Sequence, residues 1–163
     1  MPTVSNTSPI LNLAIIGRLS FLRHQFGEVI IPKAVFEECR IDENLPGTEE
    51  ISAAIREGWL SVKEVSKRDQ VILLERELDI GESEAIALAL ELNAELVLID
   101  ERDARRICKS IGIRVTGVIG VLLKAYKDKQ LPSIEEALLN LKEKAGFYIN
   151  DELLKDILRD AKS

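Results

Sequence analysis

Histidine is almost missing from this chain: its 163 residues include one, His24, and two cysteines, Cys39 and Cys108. That scarcity removes whole classes of chemistry. No Ser/His/Asp or Cys/His set can be assembled without His24, which reads as a surface residue of a short helix. The cysteines form no C-x-x-C pair and read as buried thiols of a reducing compartment. Neither G-x-x-x-x-G-K-[ST] nor G-x-G-x-x-G occurs, so nucleotide binding of those kinds has no support. No apolar run approaches the roughly 20 residues that span a bilayer. The opening Met1-Pro2-Thr3-Val4-Ser5 lacks the basic start and apolar stretch of a secretion signal. The expectation is a cytoplasmic protein with no membrane partner.

What is present is globular in kind, with 46% hydrophobic and 31% charged residues. No repeat or linker divides the chain, and its length fits a single domain over 1–163. Net charge is −6, which taken alone disfavours nucleic acid, but the charge is unevenly spread. Residues 1–100 carry 9 Lys/Arg against 18 Asp/Glu, whereas residues 101–163 carry 13 against 10. The densest basic stretch is Arg102, Arg105, Arg106, Lys109 and Arg114. It reads either as a contact for a polyanion or as a solvated helix face pairing with Glu101 and Asp103.

Short β-rich runs alternate with longer helical ones, which predicts parallel strands joined by crossover helices. The strands are Thr3–Ser5, Val29–Ile31, Glu95–Ile99 and Ile113–Val115, with Trp59–Val65 a further short strand or an extended connection. Thr7 or Ser8 is placed to cap the first helix, Thr48 a later one closed by Gly58, and Thr116 the helix running to Lys127. Residues 67–78 are helical by the spacing of Val71, Leu74 and Leu78. Helix Glu82–Leu92 has Asn93 as its stop. Ser133 with Glu136 and then Asn150 cap the last two helices. The final amphipathic helix reads as a lid or a dimer surface.

In open parallel sheets, ligands collect beyond the carboxyl ends of the strands. Asn6 follows the first strand and Asp100 the strongest one. Glu38 and Glu84 lie on helices that can join them, Glu84 in the first turn of an otherwise apolar helix. Carboxylates sharing a depression repel one another unless a cation lies between them. Oxygen donors without a histidine cluster suit Mg²⁺ or Mn²⁺. Such an ion can activate water and orient a phosphodiester. Each residue also has a plain alternative. Asn6 can be a turn residue, Glu38 a solvated carboxylate, Glu84 a partner of the helix dipole, and Asp100 the cap of the basic helix.

Four segments together resemble PIN (PilT N-terminus) domains: Val4-Ser5-Asn6-Thr7-Ser8-Pro9-Ile10, Ile31-Pro32-Lys33-Ala34-Val35-Phe36-Glu37-Glu38, Gly81-Glu82-Ser83-Glu84-Ala85-Ile86-Ala87 and Leu96-Val97-Leu98-Ile99-Asp100-Glu101-Arg102. More narrowly they resemble a prokaryotic branch near the toxins of VapBC-type toxin–antitoxin pairs. The resemblance runs from about Thr3 to Thr116. It implies a three-layer Rossmann-like α/β fold, a mostly parallel sheet of four to five strands flanked by helices, with residues 117–163 as a helical extension. It also implies cleavage of RNA at a site binding Mg²⁺ or Mn²⁺. Carried over by position, the metal-binding set is Asn6, Glu38 (or Glu37), Glu84 and Asp100, with Glu38, Glu84 and Asp100 catalytic. Thr7 and Ser8 support the first position, Asp103 is an outer partner, and Arg102, Arg105 and Arg106 meet the nucleic acid. A small antitoxin and a second copy of the chain are the implied protein partners.

The chain departs from that pattern at Asn6, which offers a neutral carbonyl where an aspartate would bring charge. The competing function is therefore a PIN-fold module, weakened in catalysis, that binds RNA or a protein. A phosphoacceptor domain of the response-regulator type also uses an aspartate at a strand end. It needs an acidic pair after the first strand, which Asn6-Thr7-Ser8 does not provide.

Overall fold

Residues 2–162 are described by the computed structural model. Five short strands, β1 (Thr3–Ser5), β2 (Val29–Pro32), β3 (Leu60–Lys63), β4 (Leu96–Leu98) and β5 (Arg114–Thr116), pair in the order β3-β2-β1-β4-β5. Every pairing is parallel. The sheet is thus wholly parallel where a mostly parallel one was expected, and the run after Trp59 is a true strand. After β3 the chain crosses to the far side of β1, so the crevice between β1 and β4 is the topological switch point of the sheet.

Strand alternation sorts the apolar residues into two cores. Val29, Ile31, Leu60 and Leu98 face one layer of helices, and Val4, Val97 and Ile99 face the other. The first layer holds α1 (Thr7–Ile15), α2 (Ser20–Phe26), α3 (Lys33–Cys39), α4 (Thr48–Glu57), α8 (Val118–Lys127), α9 (Ile134–Ala145) and α10 (Asp151–Lys162). The second holds α5 (Arg68–Leu74), α6 (Ile80–Leu92) and α7 (Arg102–Ser110). A short 3₁₀ turn, Ile41–Glu43, lies between α3 and α4. Helix α10 is anchored, not detached: Ile157 is buried in the first core, with Leu154 and Leu158 packed against it. No helix among the described residues is long and apolar enough to cross a membrane.

Several caps differ from expectation. Helix α1 begins after Asn6, whose side chain makes no capping bond, and the hydroxyls of Thr7 and Ser8 are used elsewhere. Gly47, at a φ of 87°, precedes α4, while the Thr48 hydroxyl donates back to the Leu45 carbonyl. Gly117 precedes α8 in place of Thr116. Helix α5 stops at Leu74, short of residue 78, because the backbone turns through residues 75–77 before Asp79 starts the next helix. Asp79 forms a capping box with Glu82, a D-x-x-E signal in the sequence that places the start of α6 at Ile80. Asn93 ends α6 in the left-handed conformation, and Ser133 and Asn150 accept capping bonds as expected.

Both cysteines are free and buried, and burial pushes the Cys39 thiol up to about 12 and that of Cys108 to about 11. They are packing residues and not nucleophiles.

Leu98 is fully buried in the central strand β4, whereas Leu139 on α9 is half exposed. Leu98→Ala is expected to cost about 2–5 kcal/mol and Leu139→Ala to change stability by no more than about 0.5 kcal/mol. Urea unfolding of the two variants checks the contrast.

Candidate metal and nucleic-acid site

Helices that follow parallel strands begin at the sheet's carboxyl edge, so their free N–H groups collect there. Asn6 follows β1 at the switch point, its backbone N–H donating to the Leu98 carbonyl of β4 at 2.8 Å. Its side chain is buried, and the carbonyl oxygen Oδ1 has no hydrogen-bond partner. A buried amide oxygen of this kind can accept from a donor or ligate a hard cation.

The two residues after Asn6 each reach one carboxylate. The Thr7 hydroxyl donates to Glu38 Oε2 at 2.8 Å, and the Ser8 hydroxyl donates to Asp100 Oδ2 at 2.8 Å. Asn12, one turn on, donates to the Ser8 oxygen at 3.0 Å and so aims its hydroxyl proton at Asp100. Ser8 and Asn12 are four residues apart in α1, a spacing that puts them on one face. The other Asp100 oxygen accepts the Val118 N–H of α8 at 2.8 Å. The close approach needs Gly117, because a Cβ there would collide with the Asp100 carboxylate. Asp100 is not the cap of the basic helix: Glu101 fills that place, accepting the Ala104 N–H at 2.7 Å.

Glu38 and Glu84 come together from α3 and α6. The Glu38 carboxylate lies against Gly81 in the first turn of α6, where any Cβ would strike it. Reciprocally, Glu84 Oε1 accepts the Ala34 N–H in the first turn of α3 at 3.0 Å. Glu84 Oε2 accepts from Arg68 Nη1 at 2.8 Å, an ion pair whose carboxylate is buried and whose guanidinium is half exposed. Glu37, Glu38, Glu84, Lys33 and Arg68 line an open depression of about 590 Å³. Lys33 itself pairs with exposed Glu64 at 3.5 Å.

A second depression, about 500 Å³, is lined by Asp100, Arg102, Asp103, Arg105, Arg106 and Lys109. Arg105 donates to the Ile99 carbonyl at 3.1 Å, beside Asp100 and not onto it. Asp103 pairs with Arg106 at 4.0 Å, as does Glu77. Asp100 is thus shared between the hydroxyl of Ser8 and a basic rim, while Glu38 and Glu84 open on the other side. Among the described residues, no three histidine, cysteine or carboxylate side chains gather as a metal-binding cluster. The donors the chain offers are oxygens: Asn6 Oδ1 and, bonded to the two residues that follow it, Glu38 and Asp100, a kind of donor that suits a hard divalent cation.

Sequence reasoning missed Arg68, Asn12 and Glu82. Glu82 is buried, and loss of water around it raises its pKa, as does the charge of Asp79, Glu101 and Glu38. Burial likewise raises the pKa of Glu38, with Asp79 and Glu84 adding to it and the Thr7 bond opposing. Burial raises Asp100 as well, against the Val118 N–H, the Ser8 hydroxyl and Arg105.

Comparison with known proteins bears on the family and the fold. A family model described as a PIN domain (DUF3368) matches residues 2–163. The chain belongs to the PIN domain family. Among solved structures, it is similar to a PilT N-terminus domain protein from the hyperthermophilic archaeon Sulfolobus solfataricus P2. The two are 22% identical with a TM-score of 0.55, over 82% of this chain and 96% of the other. At that identity the likeness speaks for the fold, a parallel PIN-type α/β sheet flanked by helices. No curated protein matches the chain.

Carboxylates whose folded pKa is raised bind more protons folded than unfolded, so their stabilising contribution is fullest at low pH. It is lost as pH rises through the raised values. Asp100→Asn should therefore gain in stability relative to wild type as pH goes from about 4 to 7, just above the ordinary carboxylate range. Thermal unfolding of both proteins across that range checks the sign, and a variant that loses ground with rising pH contradicts it.

Proposed function

We propose that this PIN domain is a metal-dependent endoribonuclease using Mg²⁺ or Mn²⁺, the toxin of a toxin–antitoxin pair. The observations that support the reading are the buried Asn6 oxygen, unpartnered at the switch point of the sheet, and the bonds of the two residues that follow it, Thr7 to Glu38 and Ser8 to Asp100. The residues that would hold the cation are Asn6, Glu38 and Asp100, with Glu84 as the fourth position of the family pattern. A bound cation would lower the pKa of a water and offset phosphate charge.

The chain's own residues do the rest. Ser8, fixed by Asn12, keeps Asp100 in one orientation, and the Val118 N–H holds its second oxygen. Thr7 does the same for one oxygen of Glu38. Arg102, Arg105, Arg106 and Lys109 offer a basic rim beside Asp100, suited to the phosphates of RNA. Arg102 and Lys109 have no ion-pair partner among the described residues, so their charge is available to a polyanion. Asp103, tied to Arg106, acts in this reading by orienting the rim. A small antitoxin and a second copy of the chain are the protein partners that go with it, and the cytoplasm is the setting.

A second reading has a specific observation behind it. Asn6 is neutral and Glu84 already carries a cation, Arg68, so the charge available to a metal is lower than four acids would give. That favours a PIN-fold module that binds RNA or protein without cutting.

Incubating a structured RNA pool with Mg²⁺, Mn²⁺ or EDTA separates the two. Cleavage by wild type only with metal, falling about 100-fold or more in Asp100→Asn and about 10–100-fold in Ser8→Ala, supports the nuclease. RNA binding by both proteins with no cleavage by either supports the binding module.

A further inference from the structure

Glu84 and Asp100 are both held by two hydrogen bonds, but their partners differ in charge. Asp100 accepts from a hydroxyl and a backbone N–H, both neutral, while the nearby Arg105 guanidinium donates to the Ile99 carbonyl and not to the carboxylate. Glu84 takes a backbone N–H and a guanidinium. Its side chain is 8% exposed and that of Arg68 52%, so the carboxylate is out of water while the arginine screens it from the open depression. A carboxylate buried to that degree needs a counter-charge, and here the chain itself provides one. A divalent ion brought to Glu84 would stand beside a positive charge only 2.8 Å from the same oxygen.

The other bond made by Glu84 points to what it does instead. Ala34 is in the first turn of α3, and Glu38 is in the last turn of the same helix. Glu38 returns to the first turn of α6 at Gly81. Glu84 therefore ties α6 to α3, Glu38 packs against α6 at Gly81, and Glu84 sets where α3 presents Glu38.

We infer that Arg68 occupies the position at Glu84 that a divalent cation would otherwise take, so that Glu84 is a positioning residue for α3 and not a cation donor. This rests on the metal-dependent reading above. It departs from the four-acid pattern at a residue, Arg68, that lies outside the motifs.

Mn²⁺ binding to the full chain, followed by titration calorimetry, tests it without reference to activity. Glu84→Gln should bind Mn²⁺ within about twofold of wild type, while Asp100→Asn should weaken binding about tenfold or more. Arg68→Ala frees a buried carboxylate and should tighten binding about tenfold or more. Arg68→Lys restores the charge and the Arg68→Ala/Glu84→Gln double variant removes the carboxylate, so both should return to the wild-type affinity. Should Arg68→Ala fail to fold, the Glu84→Gln and Arg68→Lys comparisons still decide. A Glu84→Gln protein weakened as much as Asp100→Asn makes Glu84 a ligand and overturns the inference alone. Wild type that takes up no Mn²⁺ overturns the metal-dependent reading and this inference together.

Discussion

Parallel strands can be joined only by crossovers that carry the chain back across the sheet, so helices begin where strands end. In this molecule the first turns of α1, α3, α6, α7 and α8 are all brought to one edge, each with N–H groups that no helical carbonyl can satisfy. Carboxylates meet that demand. Glu84 takes an N–H of α3, Asp79 one of α6, Glu101 one of α7 and Asp100 one of α8. The acidity of the edge is thus first a consequence of its backbone, and chemistry is built on what remains.

What remains is uneven. Some acids are spent on a helix end, as Asp79 and Glu101 are. Glu84 is spent twice, on α3 and on Arg68. Asp100 and Glu38 are held by hydroxyls, which orient a carboxylate without neutralising it. Their loss of water raises the cost of that charge, and at the switch point Asn6 keeps a buried carbonyl oxygen without a partner. Membership of the PIN family and the likeness in structure agree with the parallel α/β fold that forms this edge.

The sheet and its edge were legible in the sequence because they depend on local pattern. Runs such as Leu96-Val97-Leu98 have no other stable use than a buried strand, and Asp100 follows directly from where that run ends. Asn93 and Ser133 were legible for the same reason, since caps are local. The partners of the acids were not. Arg68 and Glu84 are 16 residues apart on different helices, and nothing in either segment announces the pair. Ser8 and Thr7 looked like caps because hydroxyls before a helix usually are. Only the tertiary arrangement brings Glu38 and Asp100 within their reach. The length of α5 was misjudged because the apolar spacing continues past Leu74 although the backbone has already turned. The acids were placed by position in a topology, and their electrostatic state required the neighbours.

Thr7 and Ser8 are consecutive, and each grips an acid from a different part of the chain. Consecutive residues of a helix point about 100° apart, so the two hydroxyls reach Glu38 and Asp100 in different directions from the same first turn of α1. Two carboxylates brought in by separate segments are in this way both tied to the start of one helix, so any change that shifts the first turn of α1 moves a partner of each.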